Sequence, residues 1–193
     1  MNWKTIPVKS RVTIDRIIEW FEQKYSQRDA LLFRFGINVG LRVKDILSIR
    51  YDQIYTSDGA FREHLIIKEG KTGRNKAVLL NRNIRKHLNI YIADRPALRR
   101  ENGYIFYSSR NPDRPVHVTQ VWRNFKNVEY AMALDNFAPH SMRKTFAWHL
   151  FKATGDIRTV QQALGHVDPK TTMIYIGLDQ IEVDDACRKL SLG

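Results

Sequence analysis

The chemistry of this sequence is suggested by cationic and imidazole side chains that accompany one tyrosine. They lie in five short contexts: Gly40-Leu41-Arg42, Lys71-Thr72-Gly73, His140-Ser141-Met142-Arg143, Leu164-Gly165-His166 and Tyr175. Guanidinium groups bind phosphate oxygens in a fixed, bidentate geometry that Lys cannot reproduce. The signatures of P-loop, dinucleotide-binding, zinc-protease and serine-hydrolase sites are absent from the sequence. We therefore expect neither a metal site nor a cofactor.

In their order and spacing, these contexts resemble the catalytic domain of the tyrosine recombinase family, the phage integrase type. The resemblance extends from about Thr13 to Leu190. Each fragment alone occurs readily by chance, and each residue alone would be interpreted as an ordinary surface or core side chain. Their joint occurrence on one small domain makes the resemblance specific.

The resemblance implies a role for each residue in DNA strand cleavage. Arg42 and Arg143 would clamp the scissile phosphate, and Tyr175 would attack it to leave a 3′-phosphotyrosyl intermediate. Lys71, in a hairpin loop, would protonate the departing 5′ oxygen. His140 would assist proton transfer near the tyrosine, and His166 would hydrogen-bond the phosphate.

Further residues are predicted to support this site or to hold DNA. Asp45 lies where the family usually carries an acid that orients the first arginine, and it is otherwise a plain helix surface acid. Four cations close to the site in sequence are predicted to contact DNA: Lys68, Arg74, Lys76 and Lys144.

The elements that must position these residues are mostly helices. Apolar residues at helical spacing predict helices with Thr13, Asp29, Thr119, Asp156 and Asp168 as caps. The ends of several helices are predicted at glycine, namely Gly36–Gly40, Gly155, Gly165 and Gly177. Two β-rich runs, His64–Lys68 and 77–80, predict a small antiparallel sheet, with a third strand near Ile54 left open. Asn102–Pro115 is interpreted as a loop. The expected fold class is mainly α (α+β).

Composition points to a nucleic acid partner. The chain has 193 residues, with 32 Lys and Arg against 20 Asp and Glu, which gives a net charge of +12. Such an excess favours binding to a phosphate backbone, with solubility alone as the alternative. With 43% hydrophobic residues and one cysteine, Cys187, the sequence indicates a single folded domain over 1–193 in the bacterial cytoplasm, and no apolar run long enough to span a membrane.

The charge is uneven along the chain. Between Lys68 and Arg100 we count ten basic residues against two acids, which suits contact with DNA. From Asp179 to the end there are four acids against two bases, on an amphipathic helix predicted over 179–193. The resemblance implies that such a helix passes to the next subunit of a tetramer on DNA. Packing of this helix on its own domain is the alternative.

The resemblance is incomplete at the N-terminus. Family members usually place a separate helical DNA-binding domain before the catalytic one, and here about a dozen residues precede the first predicted helix. The chain would then grip double-stranded DNA alone, or with an accessory protein, or serve as a phage or plasmid DNA-binding regulator on the same fold. A remnant left by decay of a mobile element is a third hypothesis, beside the recombinase and the regulator. Because no catalytic residue type is missing, the leading hypothesis is a site-specific recombinase.

Overall fold

The computed structural model describes residues 5–70, 73, 75–100, 102–166, 168–177, 184, 187 and 188. Within these ranges the helices are α1 Arg11–Lys24, α2 Gln27–Val39, α3 Val43–Leu47, α4 Tyr51–Ile54, α5 Arg82–Ala93, α6 Val118–Ala131, α7 Pro139–Thr154, α8 Ile157–Leu164 and α9 Pro169–Ile176. The strands are β1 His64–Lys68, β2 Asn75–Leu79, β3 Tyr107–Ser108 and β4 Asn111–Pro115. The predicted fold class, mainly helical with small antiparallel sheets, is confirmed. The terminal helix predicted over 179–193 lies outside the described residues, apart from three isolated positions.

Helix α2 is the central element of the core. Eight of its 13 residues are buried, and it packs against α1, α5 and α7. Four aromatic rings from α1, α2, α6 and the segment before α7 meet beside it, with centroids 5.1 to 6.2 Å apart: Phe21, Phe33, Phe125 and Phe137. Burial of large aromatic surfaces is the main contribution to such a core. This aromatic cluster supports α7.

Strands β1 and β2 form the predicted hairpin. They pair antiparallel, from His64 opposite Leu79 to Lys68 opposite Asn75. Leu65 and Ile67 face the core while their neighbours in β1 are exposed, which is the alternation expected for a half-buried sheet. The loop between the strands therefore projects from a fixed base.

The prediction of a loop over Asn102–Pro115 is wrong in part, because β3 and β4 pair there as a second sheet. Strand β4 contains two prolines and is mostly exposed, so neither propensity nor alternation marks it in the sequence. The third strand considered near Ile54 is also absent from this part of the structure. Ile54 ends α4, and only an isolated bridge joins Tyr55 to Phe61.

Three helices begin earlier than their predicted caps. The N-caps are Ser10, Ser26 and His117, where Thr13, Asp29 and Thr119 were expected. In each case another side chain, two or three residues upstream, accepts the first free backbone N–H. Asp29 is instead buried inside the first turn of α2 and accepts hydrogen bonds from Ser26 and Asn124.

Helices α8 and α9 begin and end as predicted, and α7 ends as predicted. Asp156 and Asp168 cap α8 and α9, and Gly155, Gly165 and Gly177 end α7, α8 and α9 in the left-handed conformation. A second, smaller apolar cluster joins these helices: Ala147, Val160, Leu164 and Ile176. None of the helices within the described ranges is long and apolar enough to cross a bilayer.

Candidate active site

Helix α7 carries the most deeply buried charge of the site. Arg143 is 1% exposed, and its two terminal nitrogens donate to backbone carbonyls of two other segments. Nη1 lies 2.6 Å from the Gly40 oxygen, and Nη2 lies 2.7 Å from the Leu164 oxygen. Both carbonyls lie at helix ends, where they have no partner within their own helix. Arg143 thus joins the C-terminal ends of α2 and α8 to α7.

Tyr175 lies among the residues predicted to act with it. Its ring centroid is 5.0 Å from that of His140 and 4.6 Å from that of His166, and both contacts are edge-to-face. The Arg143 guanidinium carbon and the Lys144 ammonium lie 5.7 and 5.9 Å from the centroid of the same ring. The structure therefore brings Tyr175 together with Arg143 and both predicted histidines.

Both histidines of the site are neutral at pH 7. Burial, followed by the charges of Lys144 and Arg143, lowers the pKa of His140 from 6.5 to about 4. Burial and the charge of Arg143 lower the pKa of His166 to about 4 as well. A neutral imidazole keeps one nitrogen lone pair, so each ring can accept a hydrogen bond.

The hydrogen bonds of His166 define its tautomer. Arg143 Nη2 lies 3.3 Å from His166 Nε2, and an arginine can only donate, so Nε2 accepts. The proton of the neutral ring then lies on Nδ1, which is 3.1 Å from the Thr172 hydroxyl oxygen. Thr172 is fully buried on α9, one turn before Tyr175. These contacts hold His166 between the buried arginine and α9, the helix that carries Tyr175.

Arg42 approaches the site from the opposite side. It is the N-cap residue of α3, and its Nη1 donates to Glu69 Oε1 at 3.0 Å. The Arg42 side chain is 25% exposed and that of Glu69 5%, so the guanidinium reaches solvent while the carboxylate does not. Burial, followed by the charge of Arg42, lowers the pKa of Arg143, which indicates that the two cations lie close together.

A cavity of about 450 Å³ lies between these two sides. Its lining includes the two predicted arginines, Arg42 and Arg143, and His140. Asp45, Gly70 and Trp122 also line it. Two guanidiniums beside one cavity can bind the non-bridging oxygens of a single phosphate.

Asp45, the acid predicted to orient Arg42, contacts the hairpin. Its Oδ1 accepts from the Gly70 backbone nitrogen at 3.1 Å, and its buried Oδ2 has no hydrogen-bond partner among the residues described. The carboxylate that contacts Arg42 is Glu69, which sequence reasoning missed. No sequence signal identifies Glu69, because an acid beside a basic loop is typical of a solvated surface.

The predicted DNA-binding lysines occupy different environments. Lys68 is exposed at the end of β1, where contact with DNA is open to it. Lys76 Nζ donates to the Ala163 carbonyl at 2.5 Å, and burial lowers its pKa to about 8. Lys144 is 7% exposed and donates to the Thr5 carbonyl. The geometry gives Lys76 and Lys144 internal contacts, and their role on DNA stays a prediction.

Lys71 and Arg74 lie outside the described residues. The described residues around them are Gly70, Gly73 and Asn75, so the hairpin loop that carries Lys71 begins and ends next to Asp45 and Glu69. The predicted role of Lys71 stays a prediction.

Sequence reasoning also missed a second basic cavity, of about 760 Å³, on another face of α6. Four arginines from separate segments contribute to its lining: Arg28, Arg95, Arg110 and Arg123. They are far apart in the sequence, so no charge run marks them. The buried Tyr91 hydroxyl at this cavity has no hydrogen-bond partner within the described ranges.

Comparison with known proteins gives one consistent family. The sequence profile of the phage integrase family matches residues 11–181. The probable integrase/recombinase YoeC of Bacillus subtilis is 32% identical over 174 residues, which cover 90% of each chain. Tyrosine recombinase XerC of Pseudomonas fluorescens is 29% identical over 154 residues, 80% of this chain and 49% of the relative. The chain thus spans most of the first relative and about half of the second.

Solved structures share the fold at lower identity. The XerA recombinase crystal structure superposes with a TM-score of 0.77 at 22% identity, over 97% of this chain and 67% of the other. A post-cleavage complex of XerH with its palindromic difH substrate gives a TM-score of 0.76 at 19% identity, over 96% of this chain and 52% of the other.

Proposed function

The chain belongs to the phage integrase family, and we propose that it is a tyrosine-type site-specific DNA recombinase. It would cleave and rejoin strands of double-stranded DNA through a 3′-phosphotyrosyl intermediate. One observation carries this proposal: Tyr175 is packed between two neutral imidazoles and beside the buried Arg143, whose guanidinium shares a cavity with Arg42.

The cleavage step assigns a role to each group. The Tyr175 oxygen forms a bond to the scissile phosphorus, and the bond from phosphorus to the 5′ oxygen breaks. His140, neutral and beside the tyrosine ring, takes the phenolic proton, and Lys71 gives a proton to the departing oxygen. Arg42 and Arg143 hold the non-bridging oxygens. Because the phosphotyrosyl ester keeps the energy of the broken bond, the reverse attack by a 5′ hydroxyl rejoins the strand without ATP.

His166 supports this site in two ways. In the DNA-free protein its Nε2 accepts from Arg143, so it holds that guanidinium in place. When a phosphate binds, proton transfer to the imidazole would let it donate a hydrogen bond to a phosphate oxygen. A negative phosphate favours that protonated form.

The second basic cavity extends the surface that we assign to DNA. Val118 and Trp122 in α6 line the first cavity with Arg42 and Arg143, whereas Thr119, Gln120 and Arg123, on another face of the same helix, line the second. No carboxylate lies within ion-pair distance of Arg95, Arg110 or Arg123 among the residues described. Double-stranded DNA bound at the first cavity can therefore place backbone phosphates beside these three arginines.

Covalent capture tests the proposal. The protein is incubated with fragmented DNA from its source organism, denatured in detergent, and assayed for DNA that stays attached to it. We expect adducts with the wild type and none with Tyr175→Phe. Tyr130→Phe is the matched control, because Tyr130 is 91% exposed on α6 and is not among the residues that line either cavity.

Three outcomes of this capture have distinct meanings. Sequencing of the trapped fragments gives the target site. Adducts that persist in Tyr175→Phe would reject Tyr175 as the nucleophile. Binding of native DNA without any adduct would favour the alternative, a DNA-binding regulator built on this fold.

We propose further that the protein acts as a tetramer on two DNA sites in the bacterial cytoplasm, on DNA of a mobile element. The acidic segment 179–193 would join neighbouring subunits, and an accessory protein would strengthen the grip on DNA. A chain that ends at Gly177 should then bind one site and fail to assemble two, as measured by the size of the complexes in solution. Assembly equal to that of the full chain would reject the segment as the link.

A further inference from the structure

Glu69 is a buried acid at the base of the hairpin loop, and the predicted catalytic set does not include it. It is 4% exposed, and its Oε1 accepts from Arg42 Nη1 at 3.0 Å. A buried carboxylate is costly unless cations and hydrogen bonds compensate its charge. Here one compensating cation is Arg42, one of the two arginines that we assign to the phosphate.

The backbone of Glu69 also shapes the loop. Its carbonyl oxygen accepts from the Gly73 nitrogen at 2.8 Å, which closes the chain between residues 69 and 73. The next nitrogen, that of Gly70, donates to Asp45 at 3.1 Å. Lys71 is enclosed in sequence by these two contacts. Glu69 is therefore hydrogen-bonded to Arg42 through its side chain and to Gly73, in the loop that contains Lys71, through its backbone carbonyl.

The far side of the Glu69 carboxylate faces the end of α8. A Cβ placed on Gly165 would lie 4.0 Å from both carboxylate oxygens. Lys76, two residues after Arg74 on the returning strand, donates to Ala163 in the same helix end. The hairpin base is thus seated against the turn that precedes His166, and Glu69 lies at the junction.

From these contacts we propose that Glu69 is a positioning residue, which aligns the phosphate clamp and the proton donor by linking Arg42 to the Lys71 loop. The inference rests on the proposed recombinase activity. Removal of the Glu69 charge releases Arg42 from its partner and loosens the loop at the same residue. Proton delivery to the 5′ oxygen then becomes slower, and the arginines neutralise the charge of the phosphate less effectively.

A change of leaving group separates this role from a purely structural one. In DNA whose scissile 5′ oxygen is replaced by sulfur, the departing thiolate needs no proton, because thiols are much more acidic than alcohols. We expect Glu69→Gln to cleave ordinary target DNA about 100-fold more slowly than the wild type, as loss of general acid catalysis predicts. With the sulfur substrate, the deficit should shrink to about tenfold.

Benchmark variants calibrate the result. Lys71→Ala should be rescued by the sulfur substrate, whereas Arg42→Lys should not, because its defect concerns the phosphate oxygens. Glu63→Gln removes the same charge from an exposed position beside β1 and should cleave both substrates like the wild type. A Glu69→Gln variant rescued no more than Arg42→Lys would overturn the proposal. If Glu69→Gln does not fold, Glu69→Asp, which keeps the charge but shortens its reach, is judged by the same criterion.

A second measurement works without cleavage. Amide hydrogen exchange in the DNA-free protein should increase at Gly70 and Gly73 in both Glu69→Gln and Arg42→Ala, which removes the cation, but not in Glu63→Gln. Exchange unchanged in Arg42→Ala would show that Arg42 and the loop are not coupled, and would overturn the proposal even if the wild type proves inactive. Absence of wild-type adducts together with coupled exchange would instead count only against the recombinase activity.

Discussion

The two sides of the active site are held by different kinds of contact. On the α7 side, which comprises α7, α8 and α9, Arg143 donates to backbone carbonyls and Tyr175 packs between two imidazoles. On the hairpin side, which comprises α3, β1 and β2, carboxylates make the contacts: Glu69 with Arg42 and Asp45 with Gly70.

This difference separates two ways of damaging the site. Carbonyls that are deprived of the Arg143 donors stay buried without partners, so changes on the α7 side should cost stability as well as activity. The hairpin side relies on charges of which one, Arg42, reaches solvent. Changes there should reduce activity with less effect on the free energy of unfolding.

The largest expected effect compares the two arginines. Arg143→Lys leaves one of two buried carbonyls unpaired and should lower the free energy of unfolding by about 3 kcal/mol. Arg42→Lys keeps a cation near Glu69 and should lower it by about 1 kcal/mol or less. Both variants should lose most of their covalent adduct formation, since lysine lacks the bidentate geometry.

Urea unfolding and adduct yields, measured on the same preparations, check this comparison. Equal losses of stability in the two variants would break the distinction between the two sides. Arg143→Lys with wild-type stability would show that its carbonyl contacts contribute little.

The next effect compares two glycines in the left-handed conformation. Gly40 has φ +64°, and an added Cβ would lie 2.2 Å from the Phe146 ring, so it must strain the backbone and displace a ring of α7. Gly73, in the hairpin loop, has φ +67° and open space around it. Gly40→Ala should cost about 3 kcal/mol, from backbone strain plus overpacking, and Gly73→Ala about 1 kcal/mol from strain alone.

Thermal unfolding measures this pair, with an expected decrease of roughly 6 to 12 °C for Gly40→Ala and 2 to 4 °C for Gly73→Ala. The order of the two decreases is the critical result. A larger decrease for Gly73→Ala would mean that the hairpin side, and not the α7 side, limits stability.

A third effect concerns pH. Because the pKa values of His140 and His166 fall from 6.5 to about 4 on folding, protonation favours the unfolded chain. Their contribution to stability is complete above pH 6.5 and is lost as the pH falls from 6.5 towards 4. NMR titration of the DNA-free protein should find both rings neutral at pH 6, with His140→Gln used to assign the signals. A ring that titrates near 6.5 would contradict its buried environment.

The sequence predicted the α7 side better than the hairpin side, for a physical reason. Local signals mark helix ends, so Gly155, Asp156, Gly165 and Asp168 were identified from single residues and their spacing. Glu69 acts through a residue 27 positions away, and no local pattern reports such a contact. The strand pairing of β4 was missed for a different reason, since its prolines suppress the local strand signal.

Mass spectrometry of the covalent complex tests the central claim most directly. After nuclease and trypsin digestion, the account predicts a nucleotide on peptide 171–188, whose only tyrosine is Tyr175. The linkage should be to a 3′ phosphate, and the modified peptide should be missing from Tyr175→Phe. A nucleotide on any other peptide, or a linkage to a 5′ phosphate, would contradict the account.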